Sequence, residues 1–195
     1  MPSTLLVTGG CGYLGSRLIR DLAQQFTTPV TIRILDNVRH GQVRALMDLP
    51  TQAAYELVDG DLLDPTILRA ALEDVDAVIH LAAVVRTPLS YDNPAWLEQV
   101  NHWGTAQLVE ACIAMGVERL LFASTTAVYG PAGPHDEDSP CRPQGPYAQS
   151  KLSAEKVIRA AQDRGLQPTI LRLGTLFGLA PITRFDAVAN RFAYL

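Results

Sequence analysis

Tyr147 and Lys151 stand four residues apart in a helical pattern that opens after Pro146, so their side chains share one helix face. A phenol with a pKa of about 10 is a poor base at neutral pH. A neighbouring ammonium favours the phenolate and brings its proton into a useful range. Such a pair can take a proton from an alcohol while its carbon is oxidised, or return it. Read alone, Tyr-x-x-x-Lys is as often an ordinary amphipathic pair. Ser124-Thr125-Thr126 ends an apolar run. A hydroxyl there can hydrogen-bond the reacting oxygen, although small and β-branched residues also end strands without such a role.

Alcohol oxidation needs an electron acceptor, and Thr8-Gly9-Gly10-Cys11-Gly12-Tyr13-Leu14-Gly15 is the stretch that would hold one. It follows the apolar run Leu5-Leu6-Val7 and opens a helical pattern of Leu14, Leu18, Ile19, Leu22 and Phe26. Strand, glycine turn and helix in that order make a dinucleotide pyrophosphate site. Gly9 or Gly10 permits the tight turn, Gly12 the close approach of backbone to phosphate, and Gly15 the seating of helix on strand. The phosphates then meet the free amides of the helix start. Asp36 closes the second strand pattern 21 positions after Gly15. An acid there accepts the ribose hydroxyls of NAD and repels the extra phosphate of NADP; Arg39 nearby tempers that preference. Asp61 is placed to receive the adenine amino group, or equally to cap the next helix, and Leu62 to cover the ring. Leu81, Ala82 and Ala83 end the fourth strand, where small residues leave room for the nicotinamide ribose. His80 precedes them and reads as a core histidine.

These residues need a scaffold that brings strand ends together. Apolar strand runs fall near 4–8, 31–35, 55–59, 76–82, 118–123 and 168–173, with helical patterns near 14–26, 42–48, 65–73, 95–115 and 147–164. This alternation implies an α/β fold with a doubly wound parallel sheet and a strand order of 3-2-1-4-5-6. Residues 130–146 hold five prolines and three glycines and read as a long loop crossing the site. After Gly178 a new helical pattern begins (Phe185, Val188, Phe192) and stops at Tyr194-Leu195.

The bulk numbers narrow the function classes. A chain of 195 residues can bury one full core. Net charge is -4, so no basic footprint points to nucleic acid. No apolar run reaches membrane-spanning length. Cys11, Cys112 and Cys141 are odd in number and widely spaced, which favours reduced thiols and a cytoplasmic location. The glycine turn occupies the place of a signal peptide, which argues the same way.

Taken together, the motifs resemble the extended short-chain dehydrogenase/reductase family in its NAD-dependent epimerase/dehydratase branch, in the manner of UDP-glucose/galactose 4-epimerase-like enzymes. The likeness runs from about residue 4 to 178 and rests on ordered pieces. They are the glycine turn, Asp36-Asn37, Gly60-Asp61-Leu62, His80 to Ala83, Asn101 to Thr105, Ser124 to Gly130, Pro146 to Lys151 and Leu171-Arg172 to Gly178. The resemblance implies a Rossmann fold over 1–178, NAD as cofactor, Tyr147 as acid/base, and Lys151 as its tuner and a ribose ligand. It also implies Thr125 as the catalytic hydroxyl with Ser124 nearer the cofactor, and Asn101 beside the active site. Tyr13, Leu14 and Asn37 join the coenzyme contacts through their motifs. The family pairs the helices at 95–115 and 147–164 across a two-fold axis, which implies a homodimer. Dehydratases of the branch follow the catalytic Thr with Asp-Glu, whereas Thr126-Ala127 stands here. Thr175 replaces an Asn that contacts substrate in many nucleotide-sugar enzymes. Family members run well beyond this length, so the chain is read as the cofactor domain of a truncated member, with 179–195 as the start of the substrate-binding region.

Three functions stay open on these residues. The first is an NAD-dependent epimerase of a nucleotide sugar acting through a transient ketone. The second is an NAD-dependent dehydrogenase or reductase of a non-nucleotide alcohol or ketone. The third is a non-catalytic NAD-binding fragment.

Overall fold

A computed structural model describes residues 3–39, 42–85, 92–185 and 187–194, with only the backbone of Tyr194. Six parallel strands are arranged β3-β2-β1-β4-β5-β6, the expected order. They are β1 (Ser3–Thr8), β2 (Val30–Asp36), β3 (Ala54–Asp59), β4 (Ala77–His80), β5 (Arg119–Thr125) and β6 (Gln167–Leu173). Register aligns Thr8 with Leu35 on one side and His80 on the other. The ends of the first, second and fourth strands therefore finish level, and the loops leaving them share one sheet edge.

Successive strand residues point to opposite faces, which is why apolar runs without alternation form this sheet. Leu6, Leu35, Val78, Leu120 and Phe122 face one layer of helices. That layer comprises α2 (Pro65–Ala71), α4 (Gly104–Met115) and α5 (Pro146–Ala160), contributing Leu68, Leu108 and Ile158. Val7, Ile32 and Ile34 face the other way, onto Ile19 and Ala23 of α1 (Tyr13–Gln25). Each fully buried Leu, Ile or Phe contributes about 1.5–3 kcal/mol.

Two expected helices are remodelled. The pattern near 42–48 forms only a 3-10 turn over Gln42–Leu46. The pattern near 95–115 begins as α3 (Pro94–Glu98), passes through a π-helical turn over Gln99–Trp103, and continues as α4. A π turn shifts the side chains that follow it around the axis, and here it buries Asn101. At the far end α6 (Val188–Tyr194) follows the irregular segment after β6.

Candidate functional site

The strand order reverses between β1 and β4, and in open α/β sheets ligands bind in the crevice at such a switch point. A cavity of about 1300 Å³ occupies it here, running from Gly9 and Asp36 to Thr125, Tyr147 and Lys151.

At one end the backbone itself shapes the surface. Gly9 has a φ of 71°, and a Cβ there would lie 2.6 Å from the Ala82 nitrogen. Gly9 rather than Gly10 therefore makes the tight turn, since only glycine tolerates both demands. A Cβ on Gly15 would meet the Gly10 Cα at 2.6 Å, so the start of α1 can lie on the turn only without one. Gly12 caps α1 with extended backbone and no side chain, and no acidic residue occupies the first turn. The first amides of a helix have no partner within it. This side-chain-free cradle and the helix start fit a dinucleotide pyrophosphate.

Asp36 lies beside that turn, accepting hydrogen bonds from the Cys11 nitrogen at 2.9 Å and the Val38 nitrogen at 3.0 Å. Burial pushes its pKa up, the two backbone bonds pull it down, and Asp59 adds a smaller upward push. Asp61 accepts from the Leu63 nitrogen at 3.0 Å and from Asn37 Nδ2 at 3.2 Å. The cap of α2 is Asp64, which accepts from the Thr66 and Ile67 nitrogens, so Asp61 is not the helix cap that the sequence equally allowed. Arg39 reaches Asp61 at 3.4 Å. Tyr13, Leu14, Leu62, Leu81, Ala82 and Ala83 all line the cavity. His80 is fully buried, with Thr8 Oγ1 2.7 Å from Nδ1 and Thr105 Oγ1 2.9 Å from Nε2. Burial, with Lys151 adding to it, lowers its pKa to about 3. It is the core histidine the sequence indicated.

At the other end the chemistry lies in charge and hydroxyls. Burial raises the pKa of Tyr147, while the charge of Arg184 and a hydrogen bond with Thr125 pull it back. Lys151 is 3% exposed. Its Nζ donates to the Ala123 carbonyl at 2.7 Å and lies 4.4 Å from the centre of the Phe122 ring. Burial brings its pKa down to about 7 against the opposing pull of Glu155. A buried amine and a phenol one helical turn apart, both lining the cavity with Thr125, form an acid/base constellation.

Two expected coenzyme contacts have their side chains engaged within the protein. The side chain of Asn101 accepts from the Val84 nitrogen at 2.7 Å and donates to the Val84 carbonyl at 3.0 Å and to Ser150 Oγ. It fixes the backbone after β4 from behind, because the π turn directs it inward, and it does not line the cavity. Ser124 lines the cavity, but its hydroxyl donates to Glu155. Strand alternation sends Ser124 toward α5 and leaves Thr125 for the phenol. The loop expected to cross the site also differs: of residues 130–146 only Gly130 borders the cavity. The loop is fastened beside it, with the Arg142 nitrogen on the Tyr129 carbonyl and His135 stacked on Tyr129.

Sequence reading marked Thr175 and the region from 179 onward, but not that the end of β6 and the segment after it form a wall of this cavity. Leu173, Thr175, Ile182, Thr183 and Arg184 border the cavity. Asn190 closes this segment: its Oδ1 accepts from the Gly178 nitrogen, and its Nδ2 donates to the Arg184 carbonyl and the Tyr13 hydroxyl. Tyr13 in turn donates to the Gly178 carbonyl at 2.8 Å. Only the polar Asn within an apolar helical pattern hinted at this clasp.

A doubly wound sheet with a glycine cradle at its switch point and a tyrosine–lysine pair across the cavity has the architecture of a dinucleotide-binding domain. The chain belongs to the NAD dependent epimerase/dehydratase family, whose model matches residues 5–193. It is 36% identical over 185 residues to a UDP-glucose 4-epimerase of Azospirillum brasilense, covering 92% of this chain and 51% of that protein. It is 31% identical to the dTDP-D-glucose 4,6-dehydratase of Mus musculus, covering 89% of this chain and 50% of that one. The crystal structure of the Thermus thermophilus UDP-glucose 4-epimerase in complex with NAD superposes with a TM-score of 0.82 at 33% identity, over 98% of this chain and 60% of that one. The chain thus spans about half the length of the curated relatives it matches. Among the described residues no helix is long and apolar enough to cross a membrane.

Proposed function

We propose that this chain carries the coenzyme and acid/base half of an NAD-dependent epimerase of a nucleotide sugar, working through a transient ketone. The observation that carries the reading is the cluster of Thr125, Tyr147 and Lys151 on the same cavity as the glycine cradle. A bound NAD supplies the two-electron acceptor and donor. The amides at the start of α1 hold the pyrophosphate, Asp36 accepts ribose hydroxyls, and Asp61 with Asn37 and Leu62 receives the adenine. Ala82 and Ala83 leave space for the second ribose. Tyr147 takes the proton from the sugar hydroxyl as that carbon is oxidised and returns it when the ketone is reduced from its other face. Thr125 orients the same oxygen, Arg184 supplies positive charge that favours the phenolate, and Lys151, one helical turn along, adds to it.

Thr126 and Ala127 line the cavity where the branch's dehydratases place Asp and Glu. Without a carboxyl pair there, elimination of water has no acid and base at those positions, and epimerisation fits better. NAD-loaded protein mixed with UDP-sugars, followed by NMR of the sugar stereocentre, is expected to show inversion; none with any UDP-sugar would overturn the proposal.

Thr175 on the cavity wall favours a second reading, a reductase of a non-nucleotide alcohol or ketone. Cofactor stoichiometry separates the two: a reductase consumes NADH, whereas an epimerase leaves its absorbance constant over many turnovers. We further propose that the helices at 95–115 and 147–164 form the face of a homodimer. Trp103 and Met115 support this, being 58% and 41% exposed along that stretch. Light scattering is expected to give a dimer mass at micromolar protein.

A further inference from the structure

The tyrosine–lysine pair does not end at Lys151. One helical turn further along α5 stands Glu155, 1% exposed. Its Oε2 accepts from Arg172 Nη2 at 2.8 Å and its Oε1 from Arg172 Nε at 3.1 Å and from the Ser124 hydroxyl. Arg172, on β6, lies 4.7 Å above the Tyr129 ring and donates to the Glu137 carbonyl at 3.3 Å. Buried ion pairs are poor stabilisers, because desolvation offsets most of their attraction. A buried pair that also grips the strand end carrying Thr125 is therefore better explained by what it does to the site.

We infer that Glu155 is a positioning residue for the acid/base pair: its carboxylate, shared between Arg172 and Ser124, keeps the Lys151 ammonium charged and aligned beneath Tyr147. The groups facing Lys151 agree with this. Tyr147 and Glu155 flank it on α5, His80 faces it from β4 as a neutral ring, and β5 offers the Phe122 face and the Ala123 carbonyl. Glu155 is the anion among them, and it alone opposes the burial that drives Lys151 toward neutrality. Arg172 divides that charge and ties it to the loop preceding Tyr147. The inference rests on Tyr147 and Lys151 being the working pair, but its test reads the lysine directly.

The chain has only two lysines, Lys151 and Lys156, and Lys156 is exposed. Side-chain labelling at lysine Cε therefore gives two separable NMR titrations. In the unaltered protein Lys151 is expected to titrate near 7. Glu155→Gln keeps shape and the Ser124 contact; it should move that midpoint down by about one pH unit, with Lys156 unmoved. Glu155→Asp should restore most of the shift. If Glu155→Gln does not fold, the double variant E155Q/R172Q, which leaves no unpaired buried charge, should show the same downward direction. An unchanged Lys151 midpoint in the folded variant, single or double, would reduce Glu155 to a structural brace and overturn the inference. Failure of the epimerase assay alone would leave the titration, and so the inference, intact.

Discussion

The two ends of the cavity are built by opposite means. At the glycine end side chains are removed: Gly9 and Gly15 let backbone meet backbone at distances no Cβ permits, and the surface is largely backbone. At the tyrosine end side chains are spent: Lys151 and Glu155 are buried almost completely, held by a carbonyl, a ring, a serine and an arginine. The first end fails when volume is added and the second when charge is changed. Shape recognises a coenzyme that does not change its outline, whereas proton transfer needs groups whose charge can change near neutral pH.

Each end can be broken separately. Tyr147→Phe removes one oxygen and no volume; it should lower kcat by about 10²–10⁴-fold while calorimetric titration shows NAD still bound. Loss of NAD binding as well would mean that the ends are not separable. Gly15→Ala adds a methyl and no charge. It should cost about 1–3 kcal/mol of stability, measured by thermal melting, and should abolish NAD binding. His80 lies between the ends, bonded to Thr8 of β1 and stacked on Phe122 of β5. Its folded pKa of about 3 lies below the unfolded value of about 6.5. The unfolded chain therefore binds the extra proton first, and stability falls as pH drops from about 6.5 toward 3, by about 1.4 kcal/mol per pH unit. Urea unfolding at pH 7.5 and 5.5 should show this, with His80→Gln flattening the dependence. The smallest effect is expected from Asp36→Asn, a charge change at the end built on shape. NAD affinity should weaken about tenfold, with NADP gaining relative to NAD in competition binding.

The sequence made the glycine end legible because its signals are local: Gly9 to Gly15 and Asp36 act through turn chemistry and strand ends, which spacing reveals. The sheet order was legible for the same reason, since apolar strand runs alternate with helical periods. Tyr147 and Lys151 could be paired because a helix places residues four apart together. The hydrogen-bond partners of Ser124 and Asn101 were not legible. Whether Ser124 faces the cavity or α5 depends on a one-residue strand phase, and Asn101 turns inward through a π turn that propensity does not encode. Glu155 went unread: it lies one helical turn beyond Lys151, but its arginine lies 17 residues away on a strand. Partners set by tertiary approach leave no mark in local pattern. The clasp at Asn190 is hidden for that reason too, joining residues 177 positions apart.

That clasp has a mechanical consequence. Tyr13 belongs both to the first turn of α1 and, through its hydroxyl, to the knot that ties Gly178 and Asn190. The chain beyond β6 is thus tied to the helix start twice, by the Tyr13 hydroxyl and by Ser16 Oγ, which accepts from the Ile182 nitrogen at 3.4 Å. The cradle and the chain leaving the sheet therefore brace each other.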